Sequence, residues 1–230
     1  MKTSPTRPAS SDSKAGLLAR AKFMSKRWAV PICILIASLL ATHHGQTANT
    51  LIYARGAILD GEWYRLLTFH FVHLSTNHFL INLFTLAALW LLYGRTMRTR
   101  EWVGVTIGSG FAIGLCLLLL SPEVQWSAGL SGLLYALFAC AAIRSAMSGE
   151  YLSVAVVAFL VGKVVMEQTI GPSAAMEQFV GSAIIVDAHM FGVIAGLLFG
   201  VLFKQTAGPA KSLTRRTSGS ADDSAPFGSR

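Results

Sequence analysis

Six apolar stretches joined by more polar links leave this chain few folds other than a bundle of membrane helices. They run over Trp28–Thr42, Leu74–Tyr93, Trp102–Leu120, Ser131–Met147, Tyr151–Met166 and Ala183–Phe203. A bilayer span takes about 20 apolar residues, and in lipid a helix satisfies every backbone N–H and C=O of such a segment internally. The pattern predicts an all-α membrane protein: a six-transmembrane-helix bundle over residues 28–203, flanked by flexible basic tails at 1–27 and 204–230. Composition agrees, since 53% of the residues are hydrophobic and 13% charged, where a soluble domain carries about 25% charged residues. Pro31 fits the opening turn of the first span. No A-x-A-like site follows that span, which reads as a retained anchor rather than a cleaved signal peptide.

The formal charge of +8 suggests nucleic-acid binding until it is located. The excess of Lys and Arg sits in the two tails, and the part between them is close to neutral, with no basic groove for phosphates. Arg95, Arg98 and Arg100 crowd the link after the second span, whereas the connectors at 43–72, 121–130 and 168–182 hold only Arg55 and Arg65. The positive-inside rule then predicts both termini in the cytosol, with spans two, four and six running inward from the outer side. Trp63, Tyr64 and Phe69 in the first of these connectors suit the headgroup boundary. Cys33, Cys116 and Cys140 stand singly in apolar runs, without CxxC or a His at ligand spacing, and read as small buried hydrophobes. Neither a metal nor a cofactor is expected.

Polar side chains inside a membrane are costly and point to function, and here they converge. His78 and Asn82, four apart on span two, share one face in its outer half. Ser131 opens span four on the same side. His189 lies about two turns into span six, where Gly192, Gly196 and Gly200 at four-residue spacing allow close packing on a neighbour, within reach of Ser131. A hydroxyl, an imidazole, and an imidazole plus amide at one depth are the inventory of a serine hydrolase. Each piece alone has a plainer reading. Gly129-Leu130-Ser131-Gly132 serves equally as a Gly-rich helix entry capped by Ser131, and with Leu133 it is not the G-x-S-x-G elbow; His189 alone is a polar helix contact. Asp187 lies about 200° from His189 on the same helix, so a Ser/His dyad without an acid is expected. A helix running through His73 and His78 would set them about 140° apart, which assigns His73 to structural hydrogen bonding at the lip of the site. His43, His44 and His70 read as interfacial. Lys163 and Glu167, four apart at the outer end of span five, read as an interfacial pair with Lys163 snorkelling.

The segment Trp63-Tyr64-Arg65-Leu66-Leu67-Thr68, then His73, His78 and Asn82, then Gly129-Leu130-Ser131-Gly132, then Ala188-His189 with Gly192 and Gly196, resembles the signature of the rhomboid intramembrane serine proteases. The resemblance covers roughly residues 55–200. It implies a rhomboid-like bundle with Ser131 as nucleophile, His189 as general base, and His78 and Asn82 as donors to the oxyanion. Within the family, the run Asp60-Gly61-Glu62-Trp63-Tyr64-Arg65-Leu66-Leu67-Thr68, with Val72-His73-Leu74, Gly162-Lys163-Val164-Val165-Met166-Glu167-Gln168 and Val186-Asp187-Ala188-His189, is similar to the rhombosortases, a bacterial subfamily. One departure is Tyr64, where a second Trp is frequent.

That closer resemblance implies cleavage, at the periplasmic side of the inner membrane, of GlyGly-CTERM tails on secreted proteins: a Gly motif, a transmembrane helix and a basic end. It also makes Lys163 and Glu167 candidates for contact with the substrate tail or a lipid. The partners implied are such membrane-anchored substrates and the bilayer, without nucleic acid. Two alternatives stand beside it: a general rhomboid protease with other membrane substrates, and a catalytically inactive rhomboid-like protein that binds membrane helices. A haem or metal protein using His78 and His189 would leave Ser131 and Asn82 without a purpose.

Overall fold

A computed structural model of the chain describes residues 28–42 and 49–203. The two basic tails, and His43 and His44, lie outside the described residues. In chain order the elements are α1 (Trp28–Thr42), a single helical turn α2 at residues 49–51, β1 (Tyr53–Ala54), α3 (Arg55–Leu59), α4 (Arg65–Thr68), a 3-10 turn (Phe69–Phe71), α5 (Thr76–Tyr93), α6 (Thr99–Leu120), β2 (Trp126–Ser127), α7 (Ser131–Met147), α8 (Tyr151–Ile170), α9 (Ala174–Val180) and α10 (Val186–Leu202). Helices α5, α6 and α8 are long and apolar enough to cross a membrane, while α1, α7 and α10 are shorter apolar helices. Their outward faces are greasy: Phe84, Leu91, Phe159, Leu198 and Leu202 are all well exposed, which lipid rather than water would cover.

Helix α7 forms the centre. Ala, Leu and Cys fill it, and it packs against α5, α6, α8 and α10. Its tightest neighbour is α10. A Cβ at Gly192 would come within 2.2 Å of the Gly132 carbonyl oxygen, one at Gly196 within 2.1 Å of the Ala136 carbonyl oxygen, and one at Gly200 within 2.3 Å of Ile143 Cγ2. Small residues on both helices thus let the backbones touch, the contact that substitutes for hydrophobic collapse in lipid. At the far end Arg144 donates to the Phe203 carbonyl (2.8 Å) and pairs with Glu101 (3.3 Å), linking α7 to α6 and α10.

The described part of the connector before α5, from residue 49 on, is held by specific hydrogen bonds. Arg65 donates to the carbonyls of Asn49 and Ile52, both at 2.9 Å, and pairs with Glu62 at 2.7 Å. Strands β1 and β2 pair antiparallel, Tyr53 opposite Ser127, and so anchor the stretch that leads into Ser131. His70, expected at the interface, is instead fully buried, with Nε2 3.0 Å from the Gly110 carbonyl oxygen of α6. Burial holds its pKa down to about 4, so the neutral ring donates Nε2–H to that carbonyl. The link 168–182 also contains a helix, α9, fastened to the start of α5: Ser75 Oγ donates to the Val180 carbonyl (2.5 Å), and Asn77 donates to that of Phe179 (3.0 Å).

Candidate active site

Ser131 is the first residue of α7, and its approach is set by Gly129. That residue has φ +132°, and a Cβ there would meet His78 Cε1 at 2.6 Å; only glycine allows both the backbone turn and the ring's position. The Gly129 N–H donates to the Phe69 carbonyl at 3.0 Å, holding the turn. Because Gly132 meets the first turns of α10, His189 arrives opposite Ser131. Ser131 Oγ lies 2.9 Å from His189 Nε2. The Tyr135 ring, one turn along α7, stacks on the imidazole at 4.4 Å and 16°.

A carboxylate does reach this histidine, which corrects the expectation of a site without an acid. Glu167 Oε2 lies 2.8 Å from His189 Nδ1, and Glu167 Oε1 accepts from the Lys163 ammonium one turn back on α8. Lys163 and Glu167 are therefore a pair turned into the bundle, with Glu167 3% exposed, rather than an interfacial one. The physical reason lies in the helix boundary. With α8 ending at Met166, Glu167 would sit in a loop; α8 continues to Ile170, and its last turns face α10. A carboxylate only accepts, so the network assigns the imidazole hydrogen to Nδ1 and leaves the Nε2 lone pair for the Ser131 O–H. Asp187 faces elsewhere, accepting from Ser121 Oγ and from Gln168 Nε2 (3.1 Å).

His78 and Asn82 border the same cavity. It has a volume of about 670 Å³ and is lined by Ser131, His189, His78, Asn82, Lys163 and Glu167, with apolar walls from α5 and α8. Asn82 spends one amide hydrogen on the His78 carbonyl at 2.9 Å, which leaves its second for the cavity. His78 takes its place from the cap of α5, where Ser75 Oγ accepts its backbone N–H at 3.0 Å. His73 differs from expectation. Helix α5 starts at Thr76, so the helical angle between His73 and His78 does not apply; the His73 ring packs edge-on against those of His78 (5.2 Å) and Phe79 (5.4 Å). The rival arrangement, His78 and His189 on one metal or haem, would require His189 to surrender its bond to Ser131 or to Glu167.

Sequence reasoning missed Tyr135 and the carboxylate contact. The signal for the second was present: an ammonium and a carboxylate four residues apart within an apolar helix, each too costly there without a further partner. Tyr135 had no comparable signal beyond being one turn from Ser131.

Every one of these side chains falls within residues 60–206, over which the sequence matches the Rhomboid domain family. The chain belongs to the rhomboid family. No curated protein matches it. Rhomboids are generally intramembrane serine proteases that act on membrane proteins within the bilayer, some members being inactive. Together with the apolar helices, membership makes this rhomboid an integral membrane protein with an intramembrane protease-type fold.

Proposed function

We propose that this rhomboid is an active intramembrane serine endopeptidase. The observation that carries the reading is the 2.9 Å approach of Ser131 Oγ to His189 Nε2 at the wall of a cavity lined largely by apolar side chains. In this mechanism His189 Nε2 takes the Ser131 proton as Oγ attacks the substrate carbonyl, and returns it to the leaving amine when the C–N bond breaks. Water then repeats the sequence on the acyl-enzyme. The tetrahedral oxyanion needs donors fixed beforehand; His78, the free Asn82 N–H and the Ser131 backbone N–H at the start of α7 supply them.

The proposed topology is six spans with both termini in the cytosol of a bacterial cell and the site opening toward the periplasm. The Lys/Arg excess in the tails and at Arg95, Arg98 and Arg100 supports it. Reporter fusions after residue 125 and after Arg230 are expected to report opposite compartments; the same compartment for both refutes the topology.

The proposed substrates are secreted proteins held by a C-terminal tail of Gly residues, a membrane helix and a basic end, as the rhombosortase resemblance implies. The basic end keeps the tail's polarity, so its Gly segment arrives at the outer leaflet. A peptide carbonyl engaged in a helix cannot be attacked, and Gly opens into an extended strand at little steric cost. Replacing the Gly pair by Val or Leu is expected to block cutting more than exchanging the helix for another apolar sequence of equal length. Mass measurement of the mature C-terminus, with active protein and with Ser131→Ala, reads this out. Cutting that survives loss of the Gly residues makes the chain a general rhomboid protease. No Ser131-dependent cutting of any tail leaves the inactive helix-binding protein.

A further inference from the structure

Glu167 is a buried ionisable group that the mechanism above does not use. Its carboxylate sits in a helix otherwise fit to cross a membrane, where an unpaired charge is strongly disfavoured. Lys163 answers that cost through Oε1, and a merely structural ion pair would need no more. Yet Oε2 is aimed at the ring nitrogen of His189 that Ser131 leaves free, at 2.8 Å. The result is a continuous line across three helices: Lys163 and Glu167 on α8, His189 on α10, Ser131 on α7.

The imidazole needs something of this kind. Stacking on Tyr135 fixes the plane of the ring but not which nitrogen carries its hydrogen. Only the Nδ1–H form leaves Nε2 able to take the Ser131 proton. Asp187, the other carboxylate nearby, is occupied by Ser121 and Gln168. We propose that Glu167 is a positioning residue that holds His189 in its Nδ1–H form and faces the imidazolium formed during attack, with Lys163 anchoring the carboxylate, so that the site is a Ser–His–Glu set rather than a dyad. As Oγ bonds to the substrate carbon, the C=O π pair moves onto oxygen and the Ser131 proton moves to Nε2. The Nδ1 hydrogen stays on His189, hydrogen-bonded to Glu167, which takes up no proton. The Nε2 proton then leaves with the amine.

This inference rests on the protease reading, and the test separates the two. The full chain in detergent is labelled with a fluorophosphonate, which reacts with an activated serine by losing fluoride, and saturation kinetics resolve the chemical rate (kinact) from binding (KI). The starting chain is expected to label and Ser131→Ala not to; absence of labelling in the starting chain overturns the protease reading and this inference with it. If the starting chain labels, Glu167→Gln is expected to lower kinact by about 10³-fold, since a side-chain amide can donate to Nδ1 and favour the wrong tautomer, with KI within about threefold. Glu167→Asp, which keeps the charge on a shorter stem, is expected to recover much of that rate. Lys163→Met is expected to cost about tenfold in kinact. Unchanged kinact in Glu167→Gln, or a change confined to KI, overturns the positioning role, the second outcome making Glu167 a ligand contact. Should Glu167→Gln not fold, Glu167→Ala combined with Lys163→Met, which removes the carboxylate and leaves no unpaired ammonium, decides: a fall in kinact at constant KI supports the role, and unchanged kinact overturns it.

Discussion

Ser131→Ala, His189→Ala and the double variant are expected to fall to the same floor of cleavage, roughly 10⁶-fold below the starting chain if they behave like other nucleophile–base units. The expectation follows from the shared proton. With Ser131 Oγ 2.9 Å from His189 Nε2, the hydroxyl is a useful nucleophile only while the imidazole takes its hydrogen, and the imidazole has no other proton to manage in the first step. Losing either ends the same event, so the losses do not add. The cavity and the proposed oxyanion donors survive in all three variants, so each is expected to remain folded and to retain substrate. Timed digestion of a tail-bearing substrate, with the variants reconstituted in vesicles, measures the floor. Additive losses, or appreciable activity in either single variant, would mean that the two side chains do not act as a unit.

Gly196→Leu is expected to leave little or no folded protein. The Cβ alone would lie 2.1 Å from the Ala136 carbonyl oxygen and 2.9 Å from Ala136 Cα. Both atoms belong to the backbone of the central helix, so no side chain can swing aside to make room. Overpacking costs about 1–3 kcal/mol in cores that can adjust, and this contact cannot adjust without separating α7 from α10. Lipid offers apolar surface as readily as another helix does, so the displaced helix has little reason to return. Gly162→Leu is the control. It lies within α8, where a Cβ meets nothing within 4 Å, and therefore carries the same change in helix propensity without the collision. Thermal unfolding in detergent is expected to show Gly162→Leu near the starting chain and Gly196→Leu melting far lower or aggregating. Equal melting of the two would mean that the α7–α10 contact is not what holds the bundle together.

What could be read from the sequence is what periodicity and composition govern directly. The apolar runs mark the principal helices, because membrane helices write their burial in a long, uniform stretch. The spacing of Gly192, Gly196 and Gly200 predicts close packing of the last helix and, through it, the meeting of His189 with Ser131. Less legible were features fixed by where a helix starts or stops. Thr76 rather than Leu74 begins α5, and that short difference changes His73 from a residue at a helical angle to one packed edge-on against His78. Ile170 rather than Met166 ends α8, and that extension brings Glu167 to His189. Burial of His70 depends on Gly110, forty residues away, and no local pattern carries such a pairing. The short elements of the connectors rest likewise on long-range bonds, those of Arg65 to the Asn49 and Ile52 carbonyls and of Ser75 to the Val180 carbonyl among them.

The unequal seating of the helices places the site's side chains partly on two interlocked helices and partly on a less buried one. Ser131 and His189 ride on α7 and α10, which are locked backbone to backbone. Glu167 rides on α8, of whose span only 22% is buried, against 33% for α5 and 44% for α6. If α8 swings out to admit a bulky guest helix, it draws its carboxylate off the imidazole while the serine and histidine stay in register. On the proposed role of Glu167, this acts as an interlock: the open chamber is idle, and the return of α8 over its guest rearms the base. Admission and cutting then alternate in time, and a guest too wide for α8 to close upon would be held without being cut.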